Sequence, residues 1–288
     1  MRLIALLLSL ILTLPACAET IRLGDRWYDI VLPPNPRGAP LILALHGGGG
    51  DPDQFASASG FGRAAVKAGY AVAFPAGTGR RGERLLTWNG GYCCGSAARR
   101  RVDDPGFLRQ VIQDAADRFG VRGDRVYLTG MSNGSILSET FASRNPDLVR
   151  AVAGVSGTMD TGRIRVAGRV PALIIHGTAD TMVPYDGGQG DTSLTRTDFA
   201  SVASVVAAFL APWGADVAVT SREINRKEDG TSVIVTDHTT GGKVALRLMT
   251  VEGGAHHWPG GRKARLSEGK TQEIDANTEI LRFFALFP

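Results

Sequence analysis

Cysteine is scarce in this chain of 288 residues: there are three, beside five histidines and four tryptophans. That scarcity excludes a small disulfide-knit scaffold and leaves little from which to build a metal site. Aromatic residues reach only 7 %, and they are not interleaved at regular spacing with the basic clusters at Arg80, Arg81 and Arg84 and at Arg99, Arg100 and Arg101. Nucleic-acid readout is therefore not expected. Those clusters read as solvated loops, with attraction of an anionic polymer or acidic substrate as the alternative. Beyond the N-terminus no apolar run approaches the length of a membrane helix. Charged residues make up 21 % and hydrophobic residues 43 %, a balance that excludes disordered and fibrous classes. No internal repeat or low-complexity linker is visible, so one large domain is the economical reading.

The first eighteen residues stand apart. Arg2 gives a positive start, Leu3 to Leu14 form a short apolar run, and Ala16-Cys17-Ala18 has the small residues that a signal peptidase reads. Residues 1–18 are expected to be a signal peptide, leaving 19–288 as the single domain of a secreted or periplasmic protein. Leu14-Pro15-Ala16-Cys17 also resembles a lipoprotein box, which would make Cys17 a lipid anchor instead. Removal of Arg2 with the leader would lower the net charge from +4 to +3. In an oxidising compartment the neighbours Cys93 and Cys94 are expected to form a vicinal disulfide, with two free thiols as the alternative.

What the chain does have is a rhythm of short apolar runs and helical segments. Ile21 to Leu32 reads as an edge hairpin. Leu41 to Leu45, Tyr70 to Phe74, Arg125 to Thr129, Ala151 to Val155 and Pro171 to Ile175 read as strands buried on both faces. Between them lie helical stretches at Asp53 to Lys67, from Asp104-Pro105 to Phe119, at Asn133 to Ser143 and at Phe199 to Leu210. Pro75 to Arg101 reads as irregular. Further strands are expected at Ser232 to Thr236 and Val244 to Val251, with a closing helix over Gln272 to Phe284. Alternation of this kind implies a mostly parallel sheet with helices on both faces, the α/β class.

Gly130-Met131-Ser132-Asn133-Gly134 fits G-x-S-x-G between an apolar strand and a helix. In that setting a sharp turn presents the serine hydroxyl over a helix N-terminus, and small residues on either side avoid clashes. A serine needs a base to take its proton and an acid to orient that base. Asp180 comes after the strand ending at Ile175, where the ligands of such sheets bind, and Asp186 lies further along the same loop. For the base, His256 and His257 lie in a loop after the last strand. His46-Gly47-Gly48-Gly49-Gly50 comes directly after the first buried strand and can present backbone N–H groups of Gly47 and Gly48, with that of Asn133, as an oxyanion hole. No Gly-Lys-Ser/Thr succeeds these glycines, which excludes a phosphate-binding P-loop.

Several segments together resemble the polyhydroxybutyrate depolymerase-like and feruloyl esterase family of α/β-hydrolases. They are Leu45 to Gly50, Trp88-Asn89 through Cys93-Cys94-Gly95, Val102-Asp103-Asp104, Gly130 to Gly134, His176-Gly177-Thr178-Ala179-Asp180 with Val183-Pro184-Tyr185, and His256-His257-Trp258-Pro259-Gly260. The resemblance implies an α/β-hydrolase fold and a serine esterase working through an acyl-enzyme. It places the nucleophile on Ser132, the acid on Asp180 and the base on His256, although Ala255 replaces the glycine usual before that base. It suggests Trp88 and Trp258 as pocket walls, with core packing as the alternative. Of Asp103 and Asp104, one is expected to cap a helix and the other to anchor a loop. No cofactor or metal is required. The expected partner is a small or oligomeric ester, feruloyl, acetyl or hydroxyalkanoate, and the protein is expected to be monomeric. The alternative is a secreted binding protein on a hydrolase scaffold that has lost its chemistry.

Overall fold

A computed structural model describes residues 18–80, 82–193, 195–262 and 270–288. The expected signal peptide, with Cys17, lies outside the described residues except for its last position.

The chain opens with β1 (Glu19–Leu23) and β2 (Arg26–Val31), the edge hairpin expected from the sequence. Next come β3 (Pro40–Leu45), α1 (Pro52–Ser59), α2 (Phe61–Lys67) and β4 (Ala71–Pro75). The apolar spacing predicts one helix over Asp53 to Lys67. Instead Gly60 adopts a left-handed φ of 65° and ends α1, so the chain turns before α2 begins. Within the expected irregular stretch sits one short helix, α3 (Gly95–Arg99).

Helix α4 (Asp104–Phe119) starts one residue from the expected cap. Asp103, not Asp104, accepts the N–H of Gly106, and Asp104 turns inward. Then come β5 (Arg122–Met131), α5 (Asn133–Arg144), β6 (Val149–Val155) and β7 (Ala172–Gly177). A small ladder, β8 (Gly188–Gln189) with β9 (Asp198–Phe199), precedes α6 (Val202–Leu210), which Ser201 caps. The chain ends with β10 (Ala218–Ile224), β11 (Ser232–Thr240), β12 (Lys243–Glu252) and α7 (Ala276–Phe284). The closing helix is shorter than expected because Asp275 caps it.

The order across the main sheet is β1-β2-β4-β3-β5-β6-β7-β12-β11-β10. The strands from β4 to β12 in that order run parallel, and antiparallel hairpins finish both sides. Successive side chains of a strand point to opposite faces. In β3, Leu41, Leu43 and Leu45 belong to the core shared with α4, α5 and α6, whereas Ile42 and Ala44 belong to the core shared with α1, α2 and α7. Each fully buried Leu or Ile contributes about 1.5–3 kcal/mol. That two-sided burial is why the strand reads as a continuous apolar run. It also brings the C-terminal ends of β3, β5, β6, β7 and β12 together along one edge, where the loops with the candidate residues begin.

Candidate active site

Ser132 sits between β5 and α5 with φ 56° and ψ −121°, a conformation that side-chain-bearing residues rarely adopt. Strain of this kind costs on the order of 1–3 kcal/mol and persists only where the surroundings hold it. Here Ser132 N–H donates to Val155 O at 2.8 Å, and Ile136 N–H donates to Ser132 O at 3.0 Å. The flanking glycines let the turn close. A Cβ on Gly130 would strike the backbone of Gly134, and one on Gly134 would strike Leu45 O. The turn thus points its serine outward over the first turn of α5, as a nucleophile elbow requires.

Asp180 lies on the loop after β7 and is buried. Its Oδ1 accepts the N–H groups of Met182 and Val183, each at 2.9 Å. Its Oδ2 accepts from His256 Nδ1 at 2.7 Å, on the loop after β12. Burial alone pushes this carboxyl up, but the hydrogen bonds and charge of His176 and His256 overcome it and hold the group well below the usual carboxylate range. Because Nδ1 donates to the carboxylate, Nε2 of His256 is left as the acceptor nitrogen. Asp186, the rival acid, is exposed.

The two adjacent histidines are sorted by their contacts. His257 spends Nδ1 on Ala255 O at 2.9 Å and accepts Thr271 N–H on Nε2 at 3.3 Å. Of the two, only His256 meets Asp180 through a hydrogen bond. Among the described residues His256 and Asp180 are joined by a hydrogen bond, and none joins the Ser132 hydroxyl to His256.

The glycine loop after β3 runs against the elbow. A Cβ on Gly47 would lie 3.7 Å from Ser132 Cβ, and one on Gly48 would lie 3.6 Å from Asn133 Cβ. Gly49 N–H is taken by Leu86 O and Gly50 N–H by Gly47 O. Among the described residues, the N–H groups of Gly47, Gly48 and Asn133 have no hydrogen bond. His46 braces the loop, with Nδ1 donating to Gly47 O at 2.8 Å and Nε2 accepting Gly77 N–H at 3.0 Å. Burial pushes its pKa down to about 4, so it serves as a neutral strut.

Residues 27–167 match the model of the family described as Esterase PHB depolymerase. NocK of Nocardia uniformis subsp. tsuyamanensis, a protein assigned to the esterases, is 30 % identical over 244 residues, covering 80 % of this chain and 68 % of its own length. The chain belongs to the PHB depolymerase esterase family. It is accordingly a carboxylic ester hydrolase. Feruloyl esterase B of Piromyces equi is 31 % identical over 157 residues, 53 % of this chain, but the match spans only 28 % of that longer protein. Among solved structures, an acetyl xylan esterase from Aspergillus awamori superposes with a TM-score of 0.61 over 94 % of this chain and 99 % of its own, at 13 % identity. That likeness concerns the fold and agrees with an α/β-hydrolase.

The structure bears on three further expectations for this esterase, and one of them needs correction. Trp88 is wholly buried (0 % exposed), so it lines no open pocket. Its indole N–H donates to His46 O at 2.9 Å, and its backbone N–H and O pair with the Asn133 side chain at 2.7 and 3.0 Å. It therefore supports the glycine loop and the elbow together from behind. Trp258 packs against Phe55 and Phe61 and donates to Asn277 at 2.9 Å, and it also lines a cavity with His257, Gly260, Thr271 and Ile274, so it is part of the core and a wall at once. Cys93 and Cys94 are consecutive, and their shared peptide bond alone sets the Cα atoms 3.1 Å apart, a spacing that does not tell a bridge from two thiols. The expected disulfide between them is therefore not established.

Asp103 and Asp104 divide as expected. Asp103 caps α4, while Asp104 pairs with Arg26 at 2.7 Å and accepts Asn89 N–H at 2.7 Å, anchoring the loop beside Trp88. Two polar residues escaped the sequence reading. His176 Nε2 lies 2.8 Å from Val183 O, which takes its N–H, and 3.4 Å from Asp180 Oδ2, a secondary contact at the acid. Glu139 is buried in α5, where Oε1 accepts the Ser135 hydroxyl at 3.0 Å and Oε2 accepts Met159 N–H at 2.8 Å. His176 had a visible sign, a histidine at a strand end one turn before Asp180. Glu139 had one only in its i+4 spacing from Ser135. Among the described residues no group of His, Cys, Asp and Glu is arranged to hold a metal. No described helix is long and apolar enough to cross a membrane.

Proposed function

We propose that this chain is a secreted serine esterase in which Ser132 attacks the ester carbonyl, His256 is the base and Asp180 orients it. The observation that carries the reading is the 2.7 Å hydrogen bond between His256 Nδ1 and Asp180 Oδ2. It joins two loops at the same sheet edge as the strained serine, in the chain order Ser, Asp, His that this fold uses. As Oγ of Ser132 bonds to the carbonyl carbon, its proton passes to Nε2 of His256. The negative charge on the former carbonyl oxygen falls to the N–H groups of Gly47, Gly48 and Asn133. His256 then gives the proton to the departing alcohol, leaving an acyl-serine. Water, deprotonated by the same nitrogen, releases the acid and restores the serine.

The substrate we favour is a feruloyl or acetyl ester of the plant-cell-wall type, in keeping with the feruloyl esterase among the relatives, or a soluble hydroxyalkanoate oligomer. Secretion rests on the leader-like pattern of residues 1–18, and the intact mass of the exported protein tests it. Ser132→Ala should lower hydrolysis of p-nitrophenyl acetate on the order of a million-fold while the circular dichroism spectrum is retained. A fluorophosphonate probe should label the natural protein and not the variant. Unchanged hydrolysis in the variant would refute the nucleophile, and a folded natural protein that is neither labelled nor active would be the non-catalytic scaffold.

A further inference from the structure

The two arginine clusters, separate in sequence, converge in space. Their meeting point is Gly79. The Arg100 guanidinium donates to Gly79 O at 2.8 Å, and a Cβ on Gly79 would strike Arg84 O and Gly82 O. Arg80 is the next residue. Thr78 pairs with Thr87 in an isolated bridge, and the Ser96 hydroxyl of α3 reaches Thr78 O, so the stems of the loop around Arg80 and Arg84 are fastened against α3. Arg80, Arg84, Arg99, Arg100 and Arg101 are all exposed. Among the described residues none of these five is in an ion pair. The nearest acids in sequence are committed elsewhere: Glu83 to Arg22 at 2.9 Å, and Asp103 to the cap of α4. The net charge of the whole chain is only +4, so five clustered arginines make this face the exception on an otherwise balanced surface.

The patch is also tied to the candidate site. Both stems of its loop are hydrogen-bonded to the glycine loop, Gly77 N–H to His46 Nε2 at 3.0 Å and Gly49 N–H to Leu86 O at 2.7 Å. It therefore stands at the rim beside the N–H groups of Gly47 and Gly48. A single carboxylate is matched by one forked guanidinium. Several exposed guanidiniums on one face suit charges repeated along a chain. We propose that this rim is the docking site for a carboxylate-bearing polysaccharide, an acidic sugar polymer whose ester groups are thereby brought to Ser132. The proposal deepens the esterase reading above and rests on it for the cleavage of the docked polymer. Leu85, 75 % exposed at the tip of the loop, sets an apolar residue among the charges, which makes an anionic lipid surface the alternative to be tested.

The test is affinity electrophoresis of the natural protein in gels containing polygalacturonate or dextran at low ionic strength, with Ser132→Ala run alongside. Both proteins should be retarded by polygalacturonate and not by dextran, which separates docking from the chemistry at the serine. The triple variant Arg80→Glu, Arg84→Glu and Arg99→Glu should lose affinity by about tenfold or more, as expected where clustered charge attracts a ligand. A charge-matched control at distant exposed positions, Arg63→Glu, Lys67→Glu and Lys243→Glu, should stay within about twofold, since screened charges beyond a Debye length contribute little. Equal loss in both triple variants would overturn the proposal, as would retention by dextran. Binding of phosphatidylglycerol vesicles without retention by polygalacturonate would overturn it in favour of a lipid surface.

Discussion

Asp180 and Glu139 are two buried carboxylates close to the same elbow, and their surroundings drive them in opposite directions. Burial penalises the charge of both. Asp180 receives two backbone N–H groups and the donor of His256, with the His176 ring 3.4 Å away, and it stays ionised. Glu139 receives one hydroxyl and one N–H, and burial pushes its pKa up to about 8. Depth does not decide the charge of a buried acid. The number of donors converging on it does. The acid with many donors is suited to steady an imidazolium, and the acid with few is suited to pack a helix.

The comparison can be broken most severely at Asp180. Asp180→Asn keeps the shape but removes the charge and invites the wrong imidazole tautomer, and kcat should fall on the order of ten-thousand-fold on a p-nitrophenyl ester. A loss of less than tenfold would show that another acid serves. The next effect lies at His176. His176→Phe deletes the ring nitrogen 3.4 Å from Oδ2, and a secondary contact with a charged group, worth about 1.5 kcal/mol or less, predicts a loss of up to about tenfold in kcat/KM. His176→Gln retains an amide donor and should recover part of that loss; identical losses in both variants would mean that the ring only fills space.

The smallest effect falls on Glu139. Its folded pKa of about 8 lies above the ordinary glutamate value of 4.5, so the folded state holds a proton that the unfolded chain releases. Stability is then full below the unfolded value and declines as pH rises from there towards about 8. Glu139→Gln should flatten that decline, so that its melting temperature exceeds that of the natural protein at pH 8 by more than at pH 4, with activity little changed. A constant difference across this range would show that the carboxyl does not titrate there.

Those features of the site that depend on neighbours in sequence were legible. The elbow between Gly130 and Gly134 announces itself because strand, turn and helix are consecutive, and the strands buried on both faces read as apolar runs. What depends on contact across the fold was not. Strand β10 was missed because its residues are exposed apart from partly covered Ile224, so no apolar pattern marks it. Trp88 reads equally as pocket wall or core until His46 O and Asn133 are seen to claim it. Gly60 lies within a helical spacing that carries straight past it, and only its left-handed φ shows the break.

The crowding around the elbow has a consequence for movement. Gly130 abuts Gly134, Gly134 abuts Leu45 O, and a Cβ on Gly157 would meet Ser132 O at 2.5 Å. The serine backbone thus has no slack in any direction towards the sheet or the glycine loop. Of all its degrees of freedom, Ser132 keeps one rotor, the torsion that swings Oγ. Approach to His256 Nε2 is therefore a search along a single angle, and little entropy is left to be lost when the hydroxyl lines up for attack.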